Sequence, residues 1–103
     1  MGIVTDFDQM ALDAARTLRG QLLKMLSIAG PMGCNERLLL TSLEGLGYTA
    51  MRADIRRHLD YLAQSGLIEI VDRDRETWAA KILPAGIDLV EGAVKPPPGV
   101  ARI

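Results

Sequence analysis

Five arginines stand in two groups along the middle of the chain. Arg52, Arg56 and Arg57 are close together, and Arg73 and Arg75 follow in a short polar run. A guanidinium has a permanent charge and a planar fork of donors, which suits phosphate oxygens and the edges of guanine bases. Thr49 adds a hydroxyl just ahead of the first group. The other reactive side chains are singletons. His58 has no second histidine and no evident nucleophile to serve, so it reads as a histidine at the edge of a core. Cys34 lies in a glycine-rich stretch before a helix. Its thiol is either activated by the helix N-terminus or, the plainer reading, partly buried at a cap. One Cys and one His supply neither a disulfide nor a metal-ligand spacing. No phosphate-cradling glycine loop and no catalytic carboxylate pair is present. The expectation is a chain that is not an enzyme, with no cofactor and no metal.

The arginines have acidic neighbours. On a helix Arg56 would reach Asp60 at i,i+4 and Arg57 would reach it at i,i+3, pairs worth only ~0.2–0.5 kcal/mol each. Arg73 and Arg75 alternate with Asp72, Asp74 and Glu76, so that run is nearly neutral. The whole chain of 103 residues carries 12 Lys and Arg against 13 Asp and Glu, a formal charge of −1. Its pI of about 5.7 argues against a dedicated non-specific nucleic-acid binder, though not against local patches.

These residues need elements to hold them. Met51, Ile55, Leu59 and Leu62 recur at helical spacing, which predicts a helix over residues 49–65 with Thr49 as its N-cap. Its outward face carries Ala50, Ala53, Arg57, Asp60 and Gln64. Arg56 is on the shoulder and Arg52 nearer the core boundary. Gly66 fits the left-handed position that ends a helix. The β-branched run at 67–71, the polar turn at 72–76 and a second strand at 77–83 predict a charged-tip hairpin.

Upstream, Leu12, Ala15, Leu18, Leu22, Met25 and Ala29 make a long amphipathic helix over residues 9–29, widened by Leu23 and Leu26. Surplus apolar surface on such a helix suits packing against a second copy or a C-terminal helix. Residues 1–7 are a frayed end or a small packing arm. A second helix starts at Cys34 or Asn35 and has an apolar face of Leu38, Leu39, Leu40, Leu43 and Leu46. Pro84 opens a closing helix over residues 85–94. Residues 95–99, with three consecutive prolines, predict an extended polyproline-like tail. The length suits one domain. No apolar run approaches a membrane span and no leader pattern is seen, so a soluble cytoplasmic protein is expected.

The segments HLDYLAQSGLIE and ILPAGIDLVEG, with the charged hairpin between them, resemble winged-helix domains of the ArsR/MarR/PadR kind over residues 35–92. In that superfamily a leucine-threonine-x-x-glycine step leads into the last helix. Here Pro84 replaces the threonine, and a glycine, Gly86, follows two residues later. The ending DLVEG followed by PGVAR resembles small winged-helix proteins of Mu-like prophages. The resemblance implies a mainly α fold with a small β-hairpin (α+β), a winged helix-turn-helix of order α-α-α-β-β-α. It would span residues 1–95, with a Pro-rich tail at 96–103. It also implies a phage- or prophage-type transcriptional regulator that binds double-stranded DNA. A homodimer through the first and last helices is expected, because a lone domain of nearly neutral charge would bind weakly and a dimer reads two half-sites. Thr49, Arg52, Arg56 and Arg57 would then lie at the major groove, with Arg73 and Arg75 on the wing beside it. ArsR-type metal sensing needs paired Cys or His ligands, which this chain lacks. The alternative is a winged-helix module that binds protein and not DNA. That reading predicts a neutral surface on the third helix and an exposed apolar patch elsewhere.

Overall fold

The computed structural model describes residues 6–102, with side chains from Asp8 onward. The arm expected at residues 1–7 lies outside the described side chains. Among the described residues are four α-helices and a three-stranded antiparallel sheet: α1 (Asp6–Ala29), β1 (Cys34–Asn35), α2 (Glu36–Gly45), α3 (Arg52–Gln64), β2 (Ile68–Val71), β3 (Ala79–Ile82) and α4 (Pro84–Val90). A short 3₁₀ turn, Gly30–Met32, links α1 to β1. This is an α+β domain. No helix of the described residues is long and apolar enough to cross a membrane.

The core forms where the apolar stripes converge. Leu18, Leu22, Leu23 and Leu26 of α1 pack with Leu39 and Leu43 of α2, with Ile55, Leu59 and Leu62 of α3, and with Ile68, Ala80 and Leu89. Leu23 and Leu26 are wholly buried, so the extra width of α1 is spent inside this domain. Several expected core positions are not core. Leu12 is exposed because the first turns of α1 run past the body of the domain. Leu38 of α2 and Leu46, the residue that caps its C-terminus, are exposed, so only part of the five-leucine face is covered. Met51 is also exposed, because α3 begins one turn later than the periodicity suggests. Thr49 is therefore not the cap. Met51 takes that place, its N–H donating to the Asp54 carboxylate at 3.2 Å while the Asp54 N–H donates to the Met51 carbonyl at 3.0 Å.

Helices α2 and α3 stop in the same way. Gly47 and Gly66 have φ of 90° and 75°, where a side chain would be strained. Past each glycine the next amide turns back onto the helix: Tyr48 N–H donates to Leu43 O, and Leu67 N–H to Leu62 O, both at 3.0 Å. The first stop turns the chain toward α3, and the second feeds α3 directly into β2.

The sheet order is β1-β3-β2, with Cys34 opposite Ala80 and Ile68 opposite Ile82. Strand β1 was not expected. Two residues carry no periodicity, and they pair only because β3 offers a free edge. The pairing continues into α2, whose first amide, Glu36 N–H, donates to Trp78 O at 2.9 Å. Helix α4 starts at Pro84 as expected but ends at Val90, short of residue 94. The tail does not run off as an extended rod. It folds back along α1, with Ala101 N–H donating to Arg16 O at 3.1 Å and Val100 buried in the core.

Candidate functional site

Helix α2, helix α3 and the β2–β3 hairpin meet at one buried acid. Glu36 opens α2 and is 3% exposed. Arg56 grips its carboxylate with both ends of the guanidinium, Nε to Oε2 at 2.7 Å and Nη2 to Oε1 at 2.6 Å. Arg52 Nε adds a bond to Oε1 at 3.1 Å, and Trp78 N–H another at 3.0 Å. The Arg56 bonds, followed by those of Trp78 and Arg52, outweigh the cost of burial and hold the Glu36 carboxyl down at about 2. Arg52 and Arg56 sit four residues apart, so α3 points both at the same place. Each also donates through Nη2 to the Glu76 carbonyl of the hairpin.

Trp78 forms the second half of the joint. The Arg56 and Arg73 guanidiniums both stack on its ring, 4.6 and 4.8 Å from the centroid. Its Nε1–H donates to Arg73 O at 3.1 Å. Arg73 also pairs with Asp60 of α3 at 2.7 Å. Hairpin and helix are thus clamped together by side chains that the sequence marked as ligand-seeking.

The expected residues therefore divide. Arg52, Arg56 and Arg73 are engaged inside the domain. Arg57 and Arg75 point outward, 74% and 75% exposed, each beside one acid: Arg57 with Asp54, and Arg75 with Asp72 at 3.6 Å. The pairs expected between Asp60 and Arg56 or Arg57 do not form, because Glu36 takes Arg56, Asp54 takes Arg57 and Arg73 takes Asp60. Thr49 is exposed in the turn before α3. On the outer face of α3, Ala53, Arg57 and Gln64 are open to solvent. Sequence reasoning missed Glu36 as the hub and Arg37 beside it. The available signal was one acid at the start of α2 facing two arginines four residues apart on α3.

His58 is a core-edge histidine, as its solitary position suggested. It is half-buried and accepts at Nδ1 from Arg19 Nε at 3.2 Å. Burial, then the charges of Arg19 and Arg57, lower its pKa below the ordinary value, so it is held neutral. Arg19 stacks over Tyr61 at 3.9 Å and donates to Gly99 O at 3.0 Å, so it holds the returning tail. Cys34 is partly buried, and burial pushes its thiol up, away from nucleophilic reactivity. Among the described residues no group of three or more His, Cys, Asp or Glu side chains is placed to hold a metal ion.

A separate feature is apolar. Met25 and Ile28 of α1, Cys34, Leu38 of α2 and Leu46 just past its end line an open groove on the side of the domain where the C-terminal end of α1 meets α2. Ile28 is 78% exposed. No protein-family model, no curated protein and no solved structure matches this chain.

Proposed function

We propose that the chain is a winged helix-turn-helix domain that binds double-stranded DNA, acting as a small transcriptional regulator of the phage and prophage kind. In this reading α2 and α3 are the helix-turn-helix and the β2–β3 hairpin is the wing. The observation that carries it is the free outer face of α3. That face is held rigidly beside the hairpin by the Glu36 and Trp78 joint, with Arg57 and Arg75 projecting from helix and hairpin tip. Arg57 would enter the major groove and Arg75 would meet the flanking backbone. Arg52, Arg56 and Arg73 position these elements and do not read bases. With a net charge of −1, a single domain would bind weakly. Two copies on two half-sites, meeting through α1 and α4, would supply the rest.

The test is fluorescence anisotropy of the protein against fragments of its own genome, from low to physiological salt, beside Arg57→Ala and Arg75→Ala. Binding that weakens steeply with salt and is reduced most in Arg57→Ala is the expected result. Folded protein that binds no duplex even at low salt overturns the reading.

Two observations favour a second reading, a module that binds protein. The arginines of α3 and the hairpin all have acidic partners, and the groove bordered by Ile28, Leu38 and Leu46 leaves large apolar side chains uncovered. Loss of partner binding on Leu38→Asp, with no duplex affinity to lose, would select it.

A further inference from the structure

A small cavity of about 100 Å³ opens where α2, α3 and the hairpin meet, lined by Glu36, Arg37, Leu40, Arg52 and Thr77. We propose that it seats one backbone phosphate of duplex DNA, held by the guanidiniums of Arg37 and Arg52 and by the Thr77 hydroxyl. The proposal rests on the DNA-binding reading and adds a contact that neither the outer face of α3 nor the hairpin tip contains.

The charge balance of the joint supports it. One buried carboxylate, Glu36, faces Arg52 and Arg56, and Arg37 stands next to it on α2. One negative charge against three positive leaves an excess of two here, while Arg57, Arg73 and Arg75 are each matched by one acid. The charge of Glu36 is already offset in this balance, because both of its oxygens accept from guanidiniums and the Trp78 amide. Arg52 commits Nε to Glu36 and Nη2 to Glu76 O. A guanidinium has five N–H donors, so it retains capacity for a further oxygen. Arg37 is exposed and lies in the first turn of α2, where the helix dipole also favours negative charge. Leu40 gives the cavity an apolar wall, which strengthens charge-assisted hydrogen bonds by excluding water. The cavity flanks α3, so a strand whose bases faced α3 would pass its phosphates here.

The experiment is an anisotropy titration of a fluorescein-labelled mixed-sequence duplex with wild type, Arg37→Gln, Thr77→Val and Lys24→Gln. Lys24 is exposed on α1, so its substitution makes the same charge change away from the cavity. Circular dichroism verifies that each variant is folded. Arg37→Gln should weaken binding about tenfold. It should also reduce the slope of log affinity against log salt by about one, the signature of one lost phosphate contact. Thr77→Val should weaken binding several-fold without changing the slope, and Lys24→Gln should change neither. If wild type binds while Arg37→Gln behaves like Lys24→Gln, the phosphate site is overturned and the DNA reading stands. If wild type does not bind at low salt, both are overturned.

Discussion

Arg56 and Glu36, twenty positions apart in the chain, form a two-pronged ion pair with bonds of 2.6 and 2.7 Å, and this pair joins the two central helices. The acid is buried and the bases are not: Arg56 keeps 30% and Arg52 48% of their side-chain surface. Replacing Glu36 with Gln keeps the shape but removes the charge from a site aimed at by two guanidiniums. The loss for a wholly buried pair is ~3–5 kcal/mol, and the solvent available to the arginines lowers this to about 2 kcal/mol. Urea denaturation would read it as a lower midpoint with an unchanged slope. An unchanged midpoint would show that the joint adds nothing to stability.

The same pair predicts an acid limit. In the fold the Glu36 carboxyl is held at about 2, below its ordinary 4.5. Its contribution is complete above 4.5 and is lost as pH falls from there toward 2, because the unfolded chain takes up the proton first. The difference in stability between wild type and Glu36→Gln should therefore be flat at neutral pH and shrink steadily below 4.5. A difference that stays constant down to pH 3 would contradict the assignment.

Much of this architecture was legible from local rules, and the exceptions share a cause. Ile55, Leu59 and Leu62 repeat at helical spacing, and Gly66 ends their helix, so both could be read without knowing what they pack against. The start of α3 could not, because Thr49 has a capping side chain and Met51 does not, and the outcome depends on Asp54 reaching back to the Met51 amide. Strand β1 and the fates of Arg52, Arg56 and Arg73 were hidden for a stronger reason. Each depends on a partner far away in sequence: Ala80 for Cys34, Glu36 for the two arginines, and Asp60 for the third. A charge pattern names the cations; only the fold decides which are left for a ligand.

The returning tail should be part of the stable unit. Val100 is buried, Arg19 donates to Gly99 O, and a Cβ at Gly99 would run into the Tyr61 hydroxyl. Val100→Ala should cost about 1–2 kcal/mol through lost burial. Gly99→Ala should lift the tail from Tyr61 and make the peptide bond before the buried Val100 a faster site for thermolysin. Thermal melts and limited proteolysis would check both. A Gly99→Ala protein cut no faster than wild type would mean that the tail is not held by this contact.

His58 sets a second pH dependence, at milder acidity than Glu36. Its Nδ1 must be unprotonated to accept from Arg19, and burial with the Arg19 and Arg57 charges keeps its pKa below the ordinary 6.5. Below 6.5 the unfolded chain therefore binds the proton before the folded one does, so stability falls as pH is lowered from that value. Above it, His58 contributes no slope. His58→Gln, which offers an uncharged acceptor, should flatten the stability profile just below pH 6.5 in urea titrations. A profile as steep as that of wild type would assign the dependence to other groups.

The two hairpin arginines should respond oppositely when removed. Arg73 stacks on Trp78 and pairs with Asp60, whereas Arg75 meets only the nearby Asp72. Trp78 is the sole tryptophan, so its fluorescence reports this joint alone. Arg73→Ala should uncover the indole, shifting its emission to longer wavelength and increasing quenching by acrylamide. The stability cost should be under about 1 kcal/mol, the scale of an exposed cation–π contact or surface ion pair. Arg75→Ala should leave the emission unchanged and lower duplex affinity. Equal emission shifts in both variants would mean that the hairpin tip moves as one body, and the separation of a clamping arginine from a contacting one would fail.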